Sequence, residues 1–357
     1  MSRVALFRAD GSPHLGLGHI MRCLAFAQGL EKIGAKSIFV TRDYEQKVAE
    51  IIRRYKYGVE PIPKSCSFKE DLLLTSGLAT RHKAKLVITD LCNSDTLANP
   101  GEYSEYLQGL KDKGKFLITI DDLNEIAFPS DIVINPNYGA ENMNYESNES
   151  TKFLLGPAYF IFRREFIEAA KVDREIKKDV QNILVTMGGT DLLDLTLKVA
   201  RALSKLGKTF NLNLRIVPGI DYKDAKKREL NETLKNYGGN YELIQGGDNL
   251  AELMLWSDLA ITGGGLTKYE TAVTGAPSIL IPQVAHQAEV TKEFERGGTA
   301  LNLGLGTGID EADITDAIGR LLRDDTLRAE MSKRGKMLVN GKGIERIISE
   351  IPDEVWS

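Results

Sequence analysis

The sequence predicts an α/β protein made of two doubly wound, Rossmann-like domains facing each other across a cleft. Three observations predict it. Short continuous apolar runs alternate with longer stretches whose apolar residues recur at three- and four-residue spacing, the pattern of parallel strands covered on both faces by helices. An apolar run, a glycine-rich turn and a helical pattern follow one another near the start of the chain and again after residue 183. The chain has 357 residues, which exceeds one typical domain and fits two.

The strand-like runs of the first half are residues 4–7, 37–40, 86–89, 116–120 and 132–134. Those of the second half are residues 183–187, 212–217, 243–244, 259–262 and 278–281. Helical spacing marks residues 20–33, 191–206, 250–256 and 268–273, and it returns in the segment 310–351, where Ile314, Ala317, Ile318, Leu321 and Leu322 share a face. Residues 135–155 are polar and rich in Asn and Glu, which reads as loop. Residues 167–181 are charged and read as a solvated linker or helix. The expected domains are therefore residues 1–165 and 175–345, with 346–357 as a tail.

Composition excludes several classes. Forty-six Lys and Arg face 50 Asp and Glu, a net charge of −4, so no basic excess points to nucleic acid or an anionic membrane surface. No apolar run approaches the length needed to span a bilayer, and the N-terminal residues 1–8 read as a short strand ending in charge rather than a signal peptide. Cys23, Cys66 and Cys92 are odd in number, far apart and form no Cys-x-x-Cys pair, which fits a reduced, cytoplasmic setting. No metal-ligand spacing, Walker motif or Gly-x-Ser-x-Gly is present, and neither a metal nor a bound cofactor is expected.

The turn Asp10-Gly-Ser-Pro-His-Leu-Gly16-Leu-Gly18-His19 carries the first functional signal. A helix start after glycines presents N–H groups and a positive dipole end to an anion, typically a phosphate. Met21 stands where a dinucleotide fingerprint needs its third glycine. The glycines thus read either as a tight turn or as room for close approach of a sugar nucleotide. His19 opens the helix; the dipole disfavours the imidazolium there, which predicts a neutral ring near pH 7, able to accept a proton as general base. His14, His82 and His286 read as structural or exposed.

Met187-Gly188-Gly189-Thr190-Asp191 repeats the strand–turn–helix order, as a capped tight turn or as a backbone wall of the cleft. Gly263-Gly264-Gly265-Leu266-Thr267-Lys268-Tyr269-Glu270 brings three glycines before a helix, able to set several amides on a diphosphate. Glu270 lies one turn in, either as an acceptor for ribose hydroxyls or as an ordinary first-turn acid. The loop 245–250, which contains Gly247, offers main-chain groups to a flat base or simply caps a helix. Asp90, Asp121 and Asp122 end strands of the first half, as loop acceptors or at the strand ends where open sheets bind ligands.

These residues resemble a known family. The stretch from Gly16 to Leu24 resembles the glycine–histidine signature of the nucleotide-sugar hydrolases of pseudaminic acid biosynthesis and their spore-coat-polysaccharide relatives. Residues 7–10, 120–122, 156–166 and 187–191 match in order, so the resemblance runs from about residue 3 to 290. The second half is also similar to the UDP-binding domain of the glycosyltransferase that makes lipid II, through residues 265–270, 275–277 and Gln287. The resemblance implies the glycosyltransferase-B fold and metal-independent, inverting hydrolysis of the bond between the anomeric carbon and UDP. It implies that His19 activates water and that Asp10, Gly16, Gly18, Arg22, Asp90, Gly188 and Gly189 contact the substrate. UDP would lie against Gly247, Gly264, Gly265, Leu266, Thr267, Glu270 and Gln287. The implied partner is a UDP-activated amino sugar, and a monomer is expected. The alternative is a UDP-sugar-dependent glycosyltransferase of the same fold. Two departures touch the sugar side: Leu91-Cys92-Asn93 follows Asp90 where the hydrolases carry His-Tyr, and Tyr269 stands where they tend to have Asn.

Overall fold

The computed structural model describes residues 3–11, 17–42, 47–91, 98–146, 150–206, 209–219, 222–246 and 249–356. The chain divides into two units, Met1–Arg164 with Lys342–Ser357, and Glu165–Gly341.

In the first unit, β1 (Val4–Ala9), β2 (Lys36–Arg42), β3 (Gly58–Ile62), β4 (Leu86–Asp90), β5 (Phe116–Ile120), β6 (Ile132–Asn135) and β7 (Lys152–Leu155) form one sheet in the order β3-β2-β1-β4-β5-β6-β7. Every pairing is parallel. The central strands are continuous apolar runs because helices cover both faces, and β1 and β4 are buried along their whole length. Phe7 stacks on Phe39 with ring centroids 5.0 Å apart and meets Phe26 edge-on at 5.9 Å, which ties the helix Gly18–Glu31 to the sheet. On the other face the helices Phe68–Arg81 and Pro100–Asp112 pack through Phe68, Tyr103 and Tyr106. The first of them starts with a reciprocal capping box between Ser67 and Glu70. The strand order reverses between β1 and β4, and the chain leaves both at their carboxyl ends, the place where open α/β sheets bind ligands.

The second unit repeats the plan. β8 (Asn182–Thr186), β9 (Asn213–Val217), β10 (Asn240–Leu243), β11 (Leu259–Gly263), β12 (Ser278–Ile281) and β13 (Leu301–Asn302) lie in the order β10-β9-β8-β11-β12-β13, again all parallel. Its reversal falls between β8 and β11, strands whose core residues Ile183, Leu184, Val185, Leu259, Ala260 and Ile261 are fully buried.

The structure departs from the sequence expectation in three places. The polar stretch 135–155 contains β7, an edge strand paired with β6 and only partly buried, so its apolar signal is weak. The charged stretch after residue 167 is fastened to the second unit: Arg174 donates to the carbonyls of Thr274 at 2.9 Å, Ser257 at 2.6 Å and Met254. The C-terminal residues are not a tail. The helix Gly343–Ser349 packs on the helix Gly18–Glu31, so tightly that a Cβ on Gly29 would lie 2.2 Å from Ile344 Cγ2, and Ile344, Ile347, Ile351 and Val355 are buried in the first unit.

Candidate functional site

In the first unit a charged cluster sits at the switch point. The helix Gly18–Glu31 follows β1, and its N-cap position, Leu17, supplies no side-chain acceptor. His19 in its first turn faces the end of β4, with Nδ1 2.6 Å from Asp90 Oδ1. Arg22, three residues on and hence on the same helix face, grips Asp90 with Nε to Oδ2 at 2.6 Å and Nη2 to Oδ1 at 2.8 Å. Its other edge holds Asp122 at the end of β5, Nη1 to Oδ1 at 2.9 Å and Nη2 to Oδ2 at 2.8 Å. Asn137 donates to Asp122 Oδ1 at 3.0 Å, and the Cys23 thiol lies 3.6 Å from Asp90 Oδ2. The Asp90 side chain is fully buried, whereas the His19 ring keeps 19% of its surface exposed.

The electrostatics correct one expectation. Burial pushes the Asp90 carboxyl up, but the Arg22 guanidinium and then His19 hold it below its usual value. Burial lowers the His19 pKa, yet attraction and hydrogen bonding to Asp90 outweigh it and the net shift is upward. The downward shift expected from the helix dipole alone is therefore reversed in direction, because a carboxylate in contact is stronger than a partial charge at a helix end. An ionised Asp90 only accepts, so Nδ1 of His19 carries its hydrogen and Nε2 is the nitrogen left to take up a proton. Two carboxylates and one guanidinium leave one net negative charge around the ring, which protonation of His19 neutralises.

Two of the expected substrate contacts, Asp10 and Arg22, have their charged groups engaged in ion pairs within the first unit. Asp10 is 2% exposed and accepts from Arg8 Nη1 at 2.5 Å, Arg8 Nη2 at 2.9 Å and the Arg42 N–H at 2.8 Å. Arg8 is itself buried and holds Asp71 with its other edge. This is a satisfied internal ion network. Arg22 likewise commits both edges of its guanidinium to carboxylates. Asp121 serves its own loop, accepting from the N–H groups of Leu123 at 3.2 Å and Asn124 at 2.9 Å and from the Tyr145 hydroxyl at 2.5 Å. Gly18 is the first residue of its helix. Gly16 and Gly247 lie outside the described residues, as do His14, Cys92 and Asn93.

In the second unit three turns meet at the carboxyl ends of β8, β11 and β12. Gln283, 9% exposed, donates from Nε2 to the carbonyls of Met187 at 3.0 Å and Thr190 at 2.9 Å and accepts the Leu192 N–H on Oε1 at 2.7 Å. It pins the Gly188–Gly189 turn, in which Gly188 has a φ of +91° that favours glycine. Asp191 accepts from the N–H groups of Leu195 at 2.8 Å and Thr196 at 2.9 Å and anchors the next helix. A Cβ on Gly263 would lie 2.6 Å from the Met187 carbonyl oxygen, and one on Gly264 2.7 Å from Pro282 Cβ. Only glycine fits this close approach. A Cβ on Gly188 would lie 3.7 Å from Thr267 Oγ1, and one on Gly265 3.8 Å from Gln287 Nε2. The structure thus brings Gly188, Gly264, Gly265, Thr267 and Gln287 together, with Leu266 at the helix start and the half-buried Glu270 one turn further. Gly189 lies on the exposed side of its turn, with nothing within 4 Å of a built Cβ.

Comparison with known proteins agrees with this anatomy. Residues 182–349 match the model of the Glycosyltransferase family 28 C-terminal domain. The whole chain is similar to the spore coat polysaccharide biosynthesis protein SpsG of Bacillus subtilis (strain 168), 29% identical over 347 residues that span 97% of this chain and 96% of that one. It is also similar to the UDP-2,4-diacetamido-2,4,6-trideoxy-beta-L-altropyranose hydrolase of Campylobacter jejuni, 28% identical over 251 residues, 70% of this chain and 80% of the relative. Among solved structures it shares the fold of Acinetobacter baumannii MurG, with a TM-score of 0.68 at 14% identity over 97% of this chain and 98% of that one. The fold is the glycosyltransferase-B type that the resemblance implied, and the chain resembles enzymes of nucleotide-sugar metabolism. Among the described residues no helix is long and apolar enough to cross a membrane.

Gln283 and Lys268 were not singled out as site residues from the sequence, and Asp122 was named only as a strand-end acid. Lys268 left a signal there: a lysine in the first turn of a helix opposes the dipole.

Proposed function

We propose that this protein hydrolyses a UDP-activated amino sugar, releasing UDP and an acetamido or deoxy hexose for nonulosonate or surface-polysaccharide synthesis in the cytoplasm. The observation that carries the reading is the pairing of His19 Nδ1 with Asp90 at 2.6 Å, at the strand end where such sheets bind ligands. Similarity to a protein named as a UDP-sugar hydrolase supports the choice of reaction.

In the proposed step His19 Nε2 takes a proton from water, and the water oxygen bonds to the anomeric carbon. The bond from that carbon to the UDP oxygen breaks, and its electron pair leaves with UDP. Amides of residues 264–267 neutralise the diphosphate, Glu270 and Gln287 serve the nucleotide, and Gly188 and Gly189 leave room for the sugar.

The second reading is a glycosyltransferase in which an acceptor hydroxyl replaces water; the match of residues 182–349 to a glycosyltransferase domain favours it. Incubating the protein with a panel of UDP-amino sugars, with and without acceptor sugars, separates the two. UDP release in water alone supports hydrolysis. Release that depends on an acceptor supports transfer, and binding without turnover rejects both.

A further inference from the structure

The triple-glycine turn contains a cation in an unfavourable place. Lys268 lies in the first turn of the helix Thr267–Thr274, where the dipole opposes positive charge. It is also 5% exposed, so its ammonium has given up most of its water. Nζ donates to the carbonyl oxygens of Gly264 at 2.8 Å and Gly265 at 3.0 Å, and it sits over the rings of Tyr269 at 4.8 Å and Phe294 at 5.8 Å.

The consequence follows from peptide geometry. In a planar trans peptide the C=O and the following N–H point in opposite directions. With the Gly264 and Gly265 carbonyls drawn to the buried ammonium, the N–H groups of Gly265 and Leu266 are turned away from it. Both residues are partly exposed, and the helix has no side-chain cap to take up its first donors. The lysine ammonium therefore stands behind two outward N–H groups, directly after Gly263 and Gly264, where close packing requires glycine.

We propose that Lys268 is a positioning residue for a diphosphate: it orients the Gly265 and Leu266 amides outward and adds positive potential behind them. This rests on the UDP-binding role given above to the same turn, and it assigns the residue that makes the turn competent for that anion. Lys268 does not touch the ligand. Its effect should fall on the phosphates, because the carbonyls it holds belong to the peptide units whose N–H groups would meet them.

The test is calorimetry with UDP, inorganic pyrophosphate and uridine on the wild type, Lys268→Met and Lys268→Gln. Methionine keeps the apolar stem and removes both the charge and the donors; glutamine keeps an N–H donor for the carbonyls without the charge. In Lys268→Met, UDP and pyrophosphate affinity should fall by about tenfold or more, the scale of a charge-assisted hydrogen bond, with uridine affinity within about twofold. Lys268→Gln should lie between methionine and wild type, and it decides the matter if the methionine variant does not fold. Unchanged UDP and pyrophosphate affinity in the variants overturns the assignment, and so does an equal loss for uridine, which marks a general packing defect. A wild type that binds neither UDP nor pyrophosphate also overturns it. A wild type that binds pyrophosphate but not UDP leaves Lys268 in place and removes the nucleotide reading.

Discussion

His19 and Asp90 act as one unit in the proposed chemistry, and two measurements separate their roles. His19→Asn removes the base and should lower turnover by about 10²–10⁴-fold while leaving UDP affinity close to wild type, as single-turnover kinetics and calorimetry would report. The pH profile addresses Asp90. A general base must be deprotonated, so kcat/KM falls as pH drops through the His19 pKa. Burial opposes the imidazolium but Asp90 more than compensates, so that acidic limb should lie above the ordinary histidine value of about 6.5. In Asp90→Asn the attraction is lost while Arg22 remains, and the limb should move to lower pH; a limb that stays where it was would contradict the pairing. His19 was legible in the sequence because two glycines and a helix start surround it. Asp90, Arg22 and Asp122 were also named from the sequence, but not their pairing with His19 and with one another. Asp90 lies 71 residues away and the Arg22–Asp122 pair is separated by 100 residues, and only the closing of the sheet brings strand ends together. That missing pairing is why the dipole argument gave the wrong direction for the ring.

The elements with the clearest sequence signal are those buried on both faces. β1, β4, β8 and β11 read as strands because no side of them meets water. The edges read poorly. β3 is only partly buried and includes the exposed Pro61, and β7 carries exposed Lys152, so neither shows a continuous apolar run. Glycine turns were legible as turns, since close approach and positive φ leave few other residues acceptable. What each turn packs against was not, and Gln283 shows why: its amide is satisfied by carbonyls more than 90 residues back along the chain. The tightness of this packing carries a prediction. In Gly264→Ala the new Cβ would meet Pro282 Cα at 2.9 Å as well as its Cβ at 2.7 Å, and backbone cannot yield cheaply. The variant should lose about 1–3 kcal/mol of stability, the usual cost of overpacking, and bind UDP more weakly. A denaturation curve and an affinity both unchanged would show that the turn is looser than described.

The whole chain uses one architecture twice, with strand order 3-2-1-4-5-6 in each half and an additional edge strand in the first. The duplication was visible as a restart of the strand–helix rhythm. The final crossing of the chain back to the first unit was not, because an amphipathic helix does not announce which sheet it covers. That crossing is testable: Ile347 is fully buried there, so Ile347→Ala should cost about 2–5 kcal/mol and lower the melting temperature. The central claim is that water attacks the sugar carbon and UDP departs intact. Hydrolysis of a UDP-amino sugar in ¹⁸O-labelled water, read by mass spectrometry, tests it most directly. One ¹⁸O in the released sugar and none in UDP is the expected result. Label in the phosphate, or no release until an acceptor sugar is supplied, would contradict it.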